Sequence, residues 1–168
     1  MDHDIDQLPD DRLPDDEVLP MTLEERRVWV YLVTVVVTAG GYFLLIGLRL
    51  LSQPAEEVSW VAPLLVTVGL SLTGTIAGTI VATVVATVLG GDGDAAEGGM
   101  TADVRDREIE WRGNRASAGV IGVGFGAGLI LSMLDLDTFW IGNTLFLFGT
   151  LGAVVETTTK IRLYRRGF

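Results

Sequence analysis

The sequence predicts an all-α polytopic membrane protein, with four transmembrane helices in two hairpins and both termini cytoplasmic. Three observations carry that reading. The apolar residues, 49% of a 168-residue chain, are gathered into four long runs. Charge is confined to the stretches between and outside those runs, and ten of the 22 acids fall within residues 1–27. Eleven of the twelve Lys and Arg lie on one side of the runs. A bilayer's hydrocarbon core is ~30 Å thick and takes about 20 helical residues, close to the length of each run or less. Lipid offers no hydrogen bonds to stray backbone groups, so runs of this length are read as helices.

Residues 1–22 precede the first run. They repeat Leu8-Pro9-Asp10-Asp11 as Leu13-Pro14-Asp15-Asp16, followed by Leu19-Pro20. So much charge and proline leaves too little burial to offset chain entropy, and a disordered acidic tail is expected. It reads as a solvated tail or as a short partner-binding motif anchored on Leu8, Leu13 and Leu19. Its carboxylates are repelled by anionic lipid, so it is no membrane anchor.

Residues 23–168 form the four-helix transmembrane domain. The first span covers residues 28–48, longer than the apolar core of a signal peptide, and no cleaved leader is expected. The second covers 61–89. At ~1.5 Å per residue it is about 43 Å long, so it tilts or projects beyond the bilayer. Pro63 sits in its first turn, where a missing N–H costs little. Residues 90–115 hold a glycine-rich linker and then a charged helix that feeds into the third span, 116–134. The fourth span covers 139–161, and Asp137 is placed to cap it.

Orientation follows the positive-inside rule. The N-terminal segment has three bases, the central connection four and the C-terminus four. The first outer connection has only Arg49 at its edge, and the second has none. Trp29, Trp111 and Tyr164 mark the inner boundary, Trp60 and Trp140 the outer. A multi-pass protein of the cell membrane results. Eleven Arg to one Lys, with abundant Val, Gly, Thr and Asp, points to a GC-rich prokaryotic genome.

Inside the spans, small and hydroxyl residues recur at a spacing of four. Thr67, Ser71, Thr75, Thr79, Thr83 and Thr87 form one ridge of the second span, and Gly74, Gly78, Ala82 and Ala86 another. Small residues admit close backbone approach, and hydroxyls bond carbonyls of their own or another helix. The third span offers Ala118, Gly122 and Gly126, with Gly124 and Gly128 beside them. The expectation is tight packing of span two on span three. A homodimer through one of these faces and a water-lined hydroxyl path are the other readings. Asn143 is expected to bond another helix and Glu156 to pair with Lys160. Intramembrane polarity is a functional signal by default.

The segment Asp103-Val104-Arg105-Asp106-Arg107-Glu108-Ile109-Glu110-Trp111-Arg112-Gly113-Asn114 resembles the D-x-R-D-x-x-I-x-x-R-G-N motif of small predicted four-span membrane proteins from bacteria and archaea. These are of unknown function and carry the motif on the cytoplasmic side between spans two and three. The resemblance implies the four-span architecture and no catalytic chemistry. Asp103, Arg105, Asp106 and Arg112 are the candidate interaction residues, as a docking surface or a salt-bridge switch.

Catalytic chemistry finds little footing. There is no Cys, and the single His is His3. No nucleophile–base pair or phosphate loop is recognisable. Asp92-Gly93-Asp94 of the linker lacks the twelve-residue spacing and terminal Glu of an EF-hand. Glu56, Glu57, Asp135 and Asp137 are the other oxygen set weighed for a cation, and no metal or cofactor is expected. No nucleic-acid partner is expected either. The sequence favours a non-enzymatic membrane protein working through protein contacts, as an accessory subunit or a tether for a cytoplasmic partner. The alternative is a small homo-oligomeric channel or transporter.

Overall fold

A computed structural model describes residues 23–89 and 101–166. The acidic tail and the glycine-rich linker lie outside the described residues. Four helices make up the fold: α1 (Leu23–Leu50), α2 (Val61–Leu89), α3 (Thr101–Met133) and α4 (Thr138–Arg166). All four are long and apolar enough to cross a membrane. The fold is therefore all-α and polytopic. The charged helix before the third span is not a separate element, because α3 runs from Thr101 into the span without a break. Two hairpins result, and the chain's described ends lie at one end of the molecule (the termini end) and the two short connections at the other (the loop end).

The four-residue turn between α3 and α4 is built from its own backbone. Asp135, at φ 53°, is the only described non-glycine residue with positive φ. Leu136 N–H donates to Leu131 O and Asp135 N–H to Ser132 O, a Schellman closure that satisfies the last carbonyls of α3. Two residues later Asp137 caps α4, its Oδ1 accepting from Phe139 N–H at 2.7 Å. The α1–α2 connection is longer. It carries a single 3-10 turn at Ala55–Glu57, and Arg49 Nη1 clamps it by donating to Ser59 O at 2.6 Å.

Neighbours follow connection length. α3 lies along α4, α1 lies on α2, and α1 also packs on α4, so the helices run in the order α2, α1, α4, α3. The packing expected between spans two and three is corrected: α2 and α3 share no extended interface. The glycines of α2 instead admit α1. A β-carbon at Gly74 would lie 3.0 Å from Thr34 Cγ2, and one at Gly78 2.6 Å from Val30 Cγ1. On α3 the expected glycines face the wrong way. A β-carbon at Gly122 or Gly126 would meet nothing within 4 Å, whereas Gly124 receives Phe148, Gly128 receives Leu145 and Gly113 receives Lys160. In return Gly152 of α4 takes Ile121.

The physical reason lies in periodicity. Two antiparallel helices joined by a tight turn meet along a seam repeating every 3.5 residues, at a shallow crossing angle. The buried line of α3 is Ile109, Gly113, Ser117, Gly124 and Gly128, in steps of four, four, seven and four. Ala118, Gly122 and Gly126 sit one or two positions off that line, and at roughly 100° per residue this turns them away from α4. α1 obeys the same rule, burying Val35, Ala39, Tyr42 and Ile46.

These glycines give a direct check. Gly124→Ala places a β-carbon 2.6 Å from Phe148 Cγ, and overpacking of this kind costs about 1–3 kcal/mol. Gly122→Ala, two residues away, meets open space and is expected to be neutral. Thermal unfolding of the two variants in one detergent should show a lowered midpoint for the first only.

Candidate functional site

Two regions hold the polar chemistry of the described residues: a braced charged extension of α3, and a cleft walled by α1, α2 and α4.

The extension comes first in the chain. Asp106 lies 27 residues before the end of α3, about 40 Å along the axis and so some 10 Å beyond a ~30 Å hydrocarbon layer. It does not project alone, because α4 runs out beside it. Tyr164 OH donates to Asp106 Oδ1 at 3.2 Å, and Arg105 Nη2 donates to Tyr164 O at 3.4 Å. Ile109 is fully buried in the same seam, at 0% exposure. Two candidate motif residues, Arg105 and Asp106, thus take part in bracing α3 on α4. Arg112 points elsewhere: it holds Glu108 of its own helix at 2.7 Å and stays exposed. The side chain of Asp103 lies outside the described residues. Beside Arg112, Trp111 is 56% exposed, with the Arg115 guanidinium 5.4 Å from its ring centroid. The motif therefore separates into a bracing face and an open face.

The cleft is bounded by two latches between the hairpins. At the loop end, Tyr42 OH donates to Asn143 Oδ1 at 2.8 Å, and Asn143 Nδ2 donates to Phe139 O. Asn143 thus bonds a second helix, as its position in the sequence suggested. Around it, Tyr42, Phe43 and Phe146 meet edge-on or tilted within 5.5 Å. The Trp60 ring lies against Gly142, where any β-carbon would overlap it. At the termini end, Arg165 Nε reaches the buried Glu25 Oε1 at 3.1 Å, and its guanidinium lies 5.7 Å from the Trp29 ring centroid. The Trp29 indole nitrogen is buried without a hydrogen-bond partner.

Between the latches the helices part. An upper cleft of about 420 Å³ is lined by Tyr31, Val35, Ser71, Leu72, Phe146 and Gly149, among others. A lower one of about 310 Å³ is lined by Arg27, Tyr31, Thr75, Thr79, Glu156 and Lys160. Tyr31 and Thr75 line both, so the two clefts adjoin along one groove between the helices. Most of its hydroxyls are committed: Thr38, Thr67, Thr75, Thr79 and Thr150 each bond the carbonyl four residues back. Such threonines turn methyls outward and add little polarity. Glu156 holds Lys160 at 2.7 Å, the pair the sequence predicted. Ala82 is half-buried on the α2 face that carries Gly74 and Gly78, and the side chain of Ala86 lies outside the described residues.

Sequence reasoning singled out Asn143 and Glu156 but missed Tyr42, Tyr31, Arg27 and Gly149. Tyr42 had a signal. A phenol deep in one apolar run and a lone Asn in another are natural partners. The groove had none, since it depends on which helices meet.

No three metal-ligating side chains converge among the described residues. Glu56, Glu57, Asp135 and Asp137 do not assemble, and Asp137 is engaged as a cap. No family model matches the chain, and no curated protein or solved structure matches it significantly.

The loop-end latch can be weighed alone. Interhelical hydrogen bonds in membranes contribute ~0.6 kcal/mol on average and up to about 1.7. Tyr42→Phe and Asn143→Ala, measured singly and together by unfolding in bicelles, should show a coupling energy in that range. A cycle that sums to zero would mean the bond adds nothing.

Proposed function

We propose that this is a non-enzymatic integral membrane protein that works through protein contacts, as an accessory subunit or a tether for a cytoplasmic partner. In this reading it lies in the cell membrane with the termini end inside, as the distribution of bases argues. The observation that carries it is the α3 extension. It is braced on α4 through Tyr164 and turns Trp111 and Arg112 outward about 30 Å from the loop-end turn and beyond. Exposed Trp and Arg on a fixed helix are the residue types that dominate binding energy at interfaces. The likeness of Asp103–Asn114 to the motif of four-span membrane proteins bears on the architecture alone.

A second reading, a small homo-oligomeric channel or transporter, is favoured by one feature. The α3 face with Gly122 and Gly126 is open, and small-residue faces let helices from two copies approach closely. Against it, the threonines of α2 bond their own backbone. Liposome flux that is unaffected by Thr75→Val plus Thr79→Val would count against the channel.

The test is affinity purification of the full chain from its native membrane in mild detergent, with mass spectrometry of the bound material. A stoichiometric partner is expected. Trp111→Ala plus Arg112→Ala should weaken it by at least about 30-fold, the equivalent of a hot spot of ~2 kcal/mol. A homo-oligomer with no second protein would instead favour the channel.

A further inference from the structure

The groove between α2 and α4 has a second use, independent of the α3 surface. We propose that it seats one anionic phospholipid of the leaflet at the termini end, with an acyl chain in the upper cleft and the phosphate between Arg27 and Lys160.

Depth along the helices argues for this first. Measured from the loop end, Tyr31 is 19 residues along α1, Thr79 is 18 along α2 and Glu156 is 18 along α4. At ~1.5 Å per residue these lie about 27–28 Å down, the inner edge of a ~30 Å hydrocarbon layer, where glycerol esters sit. Arg27 and Lys160 follow one turn later, about 33–34 Å down, at the level of the phosphates. The groove changes character at the same depth. Its upper part is mainly apolar, bounded by Val35, Leu72, Phe146 and Gly149, and its lower part carries two cations and one carboxylate. Tyr31 lines both parts and places a phenol at the junction.

Charge decides between occupants. Residues 24–27 and 156–166 hold six bases against three acids. A basic pocket between transmembrane helices is the type of site that takes anionic headgroups. Glu156 holds the Lys160 ammonium at the rim at 2.7 Å, and the charged residues lining the lower cleft, Arg27, Lys160 and Glu156, sum to one positive charge. Residues 1–22 could bring carboxylates to this mouth, but the apolar upper cleft fits a hydrocarbon chain and not a run of Asp and Pro. The committed threonine hydroxyls fit as well, since they present methyls to a chain and need no water.

The full chain is reconstituted in micelles supplemented with phosphatidylglycerol and phosphatidylcholine of identical chains, and native mass spectrometry counts the retained lipid. One phosphatidylglycerol per chain is expected, enriched at least about tenfold over phosphatidylcholine. Two variants separate head from tail. Arg27→Gln plus Lys160→Gln should abolish the preference. Gly149→Leu should displace the lipid by filling the upper cleft, and a β-carbon there meets nothing within 4 Å, so the fold tolerates it. An unchanged thermal midpoint in phosphatidylcholine confirms that both variants are folded. Equal retention of the two lipids by the wild type would overturn the site. So would a preference that survives Arg27→Gln plus Lys160→Gln, or a phosphatidylglycerol count unchanged by Gly149→Leu. A particle carrying a second copy of the chain and no lipid would give the groove to self-association instead.

Discussion

The arrangement depends on how little joins the two hairpins. α1 is the only helix of its hairpin with an extended interface on the other, and α4 is its partner. Two polar links fix that contact, Tyr42 to Asn143 near one end and Glu25 to Arg165 at the other. In lipid, apolar side chains gain nothing by choosing protein over acyl chains. Close packing and hydrogen bonds must therefore decide the geometry. A bond between a phenol and an amide, away from water and surrounded by Phe43 and Phe146, fixes both rotation and depth of α1 against α4. What lies between the links is free to part, and there the groove opens.

Within each hairpin the constraint is different, and the chain itself supplies it. A turn held by Asp135 and Asp137 leaves α3 no choice but to run back along α4. The seam that results is a series of large side chains entering glycine notches, three from α4 and one from α3. Leu145 and Phe148 enter α3, and Ile121 enters α4. Each notch loses contact if filled by a methyl, so the glycines act here as space, with backbone freedom playing no part.

Much of this was legible in the chain. The spans, the Asp137 cap, the Glu156–Lys160 pair and a cross-helix role for Asn143 all follow from local spacing and from the cost of bare polar groups in lipid. The two hairpins followed as well, but which helix of one meets which helix of the other did not. α2 is apolar all round, so hydropathy marks no preferred face, and the four-residue repeats of Gly74 and Gly122 advertise smooth surfaces without naming a partner. Connection length carried the missing information: four residues between α3 and α4 against eleven, residues 90–100, between α2 and α3. The charged motif was legible as a helix. Its division into a face bound to Tyr164 and a face left open required knowing that α4 extends just as far.

The unbroken course of α3 has a mechanical consequence. A rod of 33 residues is about 50 Å long, and it has no proline and no gap in its helical assignment. Gly113, Gly124 and Gly128 are gripped by Lys160, Phe148 and Leu145, whereas Gly119, Gly122 and Gly126 stand open on the other faces. The segment outside the lipid and the turn at Asp135 on the far side are thus two ends of one rod seated along α4, and displacement of one end is carried to the other through a single helix. The two hairpins, by contrast, meet chiefly through α1 and the Trp60 ring on α4.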